Sequence, residues 1–137
     1  MKYPAPTQQE IAEAERVIGF RLPPALTEIY ASRGNGGFGP DYGLLGINSG
    51  HVTDQGDTAL SLYRLLNSPD SENPNWVWPK HLLPILHLGC AIHYCIDLVT
   101  PGNPVIQFDP NGLGPEDSWD ESFTVAFPQL EPWLGGL

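Results

Sequence analysis

A chain of 137 residues with 41% hydrophobic content makes one domain, spanning 1–137, that buries about two-thirds of its unfolded surface without needing a disulfide or metal. Sixteen acidic residues against six basic ones give a formal charge of −10, the wrong sign for a nucleic-acid partner, because phosphate binding needs cationic side chains. No run approaches the ~20 apolar residues of a membrane span, MKYPAPTQQE lacks the apolar core of a signal peptide, and two cysteines give no sign of an oxidising compartment, so the expected location is the cytoplasm.

The chain opens with Thr7-Gln8-Gln9-Glu10, the form of a capping box, in which Thr7 accepts from the Glu10 N–H and Glu10 reaches back. Ile11, Ala14, Val17 and Ile18 repeat at helical spacing, and Gly19 suits the position after the last turn. This predicts helix one over 8–18. Phe20 to Pro24 is extended, since residues before proline are pushed out of the α region. Pro24 then opens a second helix, with Leu26, Ile29, Tyr30 and Arg33 along one face, ending at Gly34. Asn35-Gly36-Gly37-Phe38-Gly39-Pro40 must turn sharply or bring two backbones close together. It is no phosphate loop: it follows a helix and carries no Lys-Ser/Thr.

Residues 43–47 are a candidate edge or first strand, and 48–56 a loop. Asp57 or Asp54 is placed to cap a third helix over 57–67. Residues 68–75 read as a polar surface loop, and Trp76 and Trp78 share one side if the chain there is extended. Three short strands follow, over 83–87, 92–99 and 105–108, separated by Gly89-Cys90-Ala91 and Pro101-Gly102-Asn103. In the middle one Ile92, Tyr94, Ile96 and Leu98 alternate with His93, Cys95, Asp97 and Val99, the period of an antiparallel strand. Asp109-Pro110-Asn111-Gly112 has the residues of a type I turn. A second capping box, Ser118 to Glu121, predicts a last helix with Phe123, Ala126, Phe127, Leu130, Trp133 and Leu134 in a stripe, kinked by Pro128 or split there into 119–127 and 129–134. The expected class is α+β: a mostly antiparallel sheet of about four to six strands with helices on one face and at the ends.

Gly19-Phe20-Arg21-Leu22-Pro23, a short helix and Asn35-Gly36-Gly37 make an ordered set. Leu83-Pro84-Ile85, Leu88-Gly89-Cys90, Ile96-Asp97-Leu98, Val105 to Phe108 and a late Ser122-Phe123 helix complete it. Together they resemble the SUKH superfamily, the Smi/Knr-type domain, over essentially the whole chain. That resemblance implies a non-catalytic protein-binding domain. Its bacterial members look like immunity proteins, which neutralise polymorphic toxins by stoichiometric binding; its fungal members are adaptors, which is the alternative for this chain.

The residues themselves offer two routes to chemistry. His87, Cys90, His93 and Cys95 are candidate metal ligands, but their spacing fits no zinc pattern, and packing beside a sheet explains them better. His93, Cys95 and Asp97 supply the residue types of a nucleophilic site, yet alternate residues on a strand stand about 7 Å apart with parallel side chains. A metal- or Cys-dependent enzyme is therefore the weaker alternative, and no catalytic residue, metal or cofactor is expected. The charge is more informative. Residues 81–137 hold seven acids and no Lys or Arg, and Glu116, Asp117, Asp120 and Glu121 exceed what one helix start uses. The expected partner is a basic protein such as a toxin domain, met through Asp109, Glu116, Asp117, Asp120 and Glu121, with Trp76 and Trp78 as further contacts because tryptophan is enriched at interface hot spots. Acidity for solubility alone is the plainer explanation of the same charge.

Overall fold

The computed structural model describes residues 2–69, 72, 74–113 and 118–137. It is α+β, in the order α1 (Gln8–Ile18), α2 (Pro24–Arg33), α3 (Ala59–Leu66), β1 (Leu82–Gly89), β2 (Ile92–Asp97), β3 (Val105–Phe108), a 3-10 turn (Trp119–Ser122), β4 (Phe123–Phe127) and α4 (Leu130–Gly135). The four strands form one antiparallel meander, β1-β2-β3-β4.

The helix ends follow from local chemistry. The Glu10 N–H donates to Thr7 Oγ1 at 3.1 Å, and the Thr7 N–H to Glu10 Oε1 at 3.2 Å. Gly19, at φ 85°, closes α1 by donating to Glu15 O. Helix α3 is capped by Thr58 in a box with Ser61, not by Asp54 or Asp57; Asp57 instead accepts from Ser61 Oγ at 2.9 Å. The Asn35-Gly36-Gly37 turn is a close approach of two backbones, as its glycines require. Gly36 sits at φ +84°, and a Cβ there would lie 2.5 Å from Leu44 O. Asn35, 1% exposed, locks the pair: its Oδ1 accepts from the Ile47 N–H at 2.9 Å and its Nδ2 donates to Ser49 Oγ at 2.9 Å.

The predicted strand over 43–47 reduces to a single bridge between Leu44 and Leu86, supported by Leu45 N–H donating to Ile85 O. It covers the outer edge of β1. Around it packs the core, with Leu26, Tyr30, Leu45, Ile85, Leu86, Ile96 and Val105 essentially inaccessible. The Tyr30 hydroxyl, buried with them, donates to Leu45 O.

The last third departs most from expectation. Residues 123–127 form β4, not a helix, and α4 begins only at Leu130. A Phe-Thr-Val-Ala-Phe run is rich in β-branched and aromatic residues, and β3 offers it a free ladder: Phe108 faces Phe123, Gln107 faces Thr124 and Ile106 faces Val125. Sheet pairing outweighs the helical stripe, and Pro128, with no N–H, ends the strand. Residues related by the register share a face, so His87, His93, Phe108 and Phe123 lie on one side of the sheet and Tyr94 and Gln107 on the other. Trp133 of α4 packs edge-on against Tyr94, while Trp78 packs edge-on against Phe108 and Phe123. Both faces are thus covered, one in part by α4 and the other by the tryptophan segment.

Candidate functional site

The acidic segment is presented by the 3-10 turn that feeds β4. Ser118 Oγ accepts from the Asp120 N–H at 3.3 Å, so the serine, not a carboxylate, caps the turn. The Phe123 N–H donates to Asp120 O. Asp120 and Glu121 are exposed. Among the described residues neither enters an ion pair; the pairs formed there are Arg16 with Glu13 and His81 with Asp97. Both carboxylates are therefore free for an external cation.

Asp109 is more committed. Its Oδ1 accepts from the Asn111 N–H at 2.9 Å and from Asn111 Nδ2 at 2.8 Å, and Asn111 Nδ2 also donates to Cys90 O. That Asx turn pins the β3–β4 connection to the β1–β2 hairpin. Its neighbour in the ladder direction is close to the site: Asp109 N–H donates to Ser122 O at 2.8 Å. Glu116 and Asp117 lie outside the described residues.

The tryptophans are placed differently from expectation. Trp78 is 2% exposed and its Nε1 donates to Leu82 O at 2.9 Å. Its reading as a contact residue is corrected: an indole held on both its apolar face and its N–H belongs to the core. Trp76 is half-buried, with Nε1 donating to Leu66 O at 2.8 Å. Trp119 stands edge-on to it, ring centroids 4.5 Å apart. The aromatic layer thus acts as the footing of the acidic turn, fixing Asp120 and Glu121 against the sheet.

The His–Cys–Asp face carries no reactive set. Cys95 is fully buried and burial pushes its thiol far up, so no thiolate is available. Asp97 is driven up by burial, but hydrogen bonds from the Thr100 hydroxyl, the Thr100 and Val99 N–H groups and the nearby His81 outweigh this and hold it below its usual value. His93 Nδ1 lies 3.1 Å from Ala91 O, and a carbonyl only accepts, so Nδ1 carries the proton. His93 Nε2 then accepts from His87 Nδ1–H at 3.2 Å. A cleft of about 380 Å³ beside this pair is lined by Tyr42, His51, Asp54, His87 and Cys90. The His51 ring is fully engaged there, with Nε2 on Tyr42 O at 2.7 Å and Nδ1 on the Tyr3 hydroxyl at 3.3 Å. Among the described residues no three His, Cys, Asp or Glu side chains converge as a metal site, and no helix is long and apolar enough to cross a membrane.

Sequence reasoning missed the setting of the acids more than the acids themselves. The strand that follows them was legible only in the β-prone composition of residues 123–127. No curated protein and no solved structure matches the chain significantly. The model of the SMI1 / KNR4 family (SUKH-1) matches residues 5–134, nearly the whole chain. The chain belongs to the SMI1 / KNR4 (SUKH-1) family, a membership that implies work through protein–protein interaction.

Proposed function

We propose that this chain is an immunity protein. It neutralises a cognate toxin of the nuclease type by stoichiometric binding through its acidic C-terminal surface, inside the cytoplasm, and performs no catalysis of its own. One observation carries the reading: Asp120 and Glu121 are exposed and unpaired among the described residues, in a stretch, 81–137, that holds no Lys or Arg. Asp109 stands beside them, Glu116 and Asp117 add to the charge in sequence, and Trp76 supports the turn from behind. A nuclease presents cationic groups where phosphate binds. Carboxylates held on a fixed turn answer those groups and block the substrate, and their field speeds capture.

The test is the association rate with the product of the neighbouring gene, which this reading expects to carry a toxin domain, measured across salt. The rate should fall about tenfold or more between low and high salt, as screening removes the long-range attraction. D120N/E121Q should slow association while leaving Tm unchanged. Binding that ignores both salt and D120N/E121Q would overturn the proposal. Association with a protein that is no toxin would instead favour the adaptor role.

A further inference from the structure

The two edges of the sheet are treated differently. The outer edge of β1 is covered by the Leu44–Leu86 bridge and by Leu45 N–H on Ile85 O. Strand β4, at the other end, pairs with β3 and, among the described residues, with no other strand. An uncovered edge is a template for another strand, and proteins normally blunt it with lysine, proline or an inward charge. Phe123 to Phe127 contains none of these, and Val125 is 62% exposed.

The ladder fixes which groups are offered. Asp97 N–H donates to Pro104 O and Asp109 N–H to Ser122 O. With the register of Gln107 opposite Thr124, the alternation of an antiparallel ladder turns the backbone of Ser122 and Thr124 toward β3 and that of Phe123 and Val125 outward. The outward Phe123 N–H is taken by Asp120 O. That leaves the Phe123 carbonyl and both backbone groups of Val125 facing away from the sheet, with the acidic turn closing the end of the edge. Beyond Val125 the register shifts opposite Val105 and Ile106, which restricts a guest to the half of the strand nearest Asp120 and Glu121.

We infer that β4 takes up an extended segment of the partner as a fifth strand, antiparallel to β4, its C-terminal end carrying Arg or Lys beside Asp120 and Glu121. The inference rests on the acidic-surface reading above and names its mode. Backbone groups supply the pairing and the carboxylates set its direction, because antiparallel addition brings the guest's C-terminal end to the start of β4. A second copy of this chain is a poor guest, since each copy carries −10.

The probe is a capped peptide of alternating threonine and valine ending in two arginines, titrated into the full-length protein with amide exchange read by NMR. Docking should protect the Val125 amide from exchange. N-methylation of every second peptide residue should abolish binding in one phase and spare it in the other, since only one side of the guest meets β4; this leaves the protein unaltered. Moving the arginines to the peptide's N-terminus should weaken binding roughly three- to tenfold. The inference is overturned if both methylation phases bind alike, if the Val125 amide stays unprotected, if arginine placement makes no difference, or if the free protein dimerises through this edge. Toxin binding that leaves the Val125 amide unprotected would overturn the strand addition alone. Peptide docking without toxin binding would support the strand addition and overturn the immunity role alone.

Discussion

His93 should make this protein acid-sensitive well above the range where its carboxylates titrate. The ring is 7% exposed, and both nitrogens are committed: Nδ1–H to Ala91 O and Nε2 to His87 Nδ1–H. A second proton would have to enter at Nε2, against the N–H of His87, the titratable group that faces it, with Phe108 stacked on the ring. Burial first, and the charge of His87 second, lower its pKa from 6.5 to about 4. Between those values the unfolded chain binds a proton that the native state refuses, so stability falls as pH falls; above 6.5 this group contributes no pH dependence. At 1.36 kcal/mol per unit, the loss is about 2 kcal/mol at pH 5 and about 3 kcal/mol by pH 4. Urea unfolding at pH 7 and pH 5 measures it directly, and His93→Phe, which cannot titrate, should show a markedly smaller loss over that interval whatever its absolute stability. Equal wild-type stability at the two pH values, or an undiminished loss in His93→Phe, would refute the reasoning.

Trp78→Ala should cost about 3–5 kcal/mol in the same assay, the range for a buried aromatic, which separates a core role from a surface one. Gly46→Ala should destabilise by about 3 kcal/mol or more, or prevent folding, because the added Cβ would lie 1.7 Å from Ser49 O. A maleimide should label Cys90 alone in the native protein and both thiols in denaturant, since Cys90 is exposed and Cys95 is buried; rapid native labelling of Cys95, read by mass spectrometry, would contradict the packing described.

What could be read from the sequence was what depends on neighbours in the chain. The Thr7–Glu10 box, Gly19 after α1, Pro24 at the start of α2 and the 105–108 strand each rest on chemistry within a few residues. The Asn35 to Gly37 stretch announced a close approach, but not that Leu44 to Ile47 would be the backbone approached. Residues 123–127 misled because Phe123, Ala126 and Phe127 satisfy a helical period while the same run has strand composition. Neither reading wins locally. The helix cap of α3 shows the same limit on a smaller scale: Thr58, boxed with Ser61, caps the helix, not the expected Asp57 or Asp54.

The acidic segment was visible in composition because charge is additive and needs no fold to be counted. Which carboxylates face outward is a different matter. Asp97 and Asp109 are drawn into turns by nearby N–H groups, whereas Asp120 and Glu121 stay free because Ser118 does the capping. The sequence by itself determined the sign of the surface, the starts of the first two helices and the family. Only the tertiary structure decided that the last third pairs with β3, that Trp78 belongs to the interior and that one sheet edge stays open, because each depends on backbone and rings brought together from positions far apart in the chain.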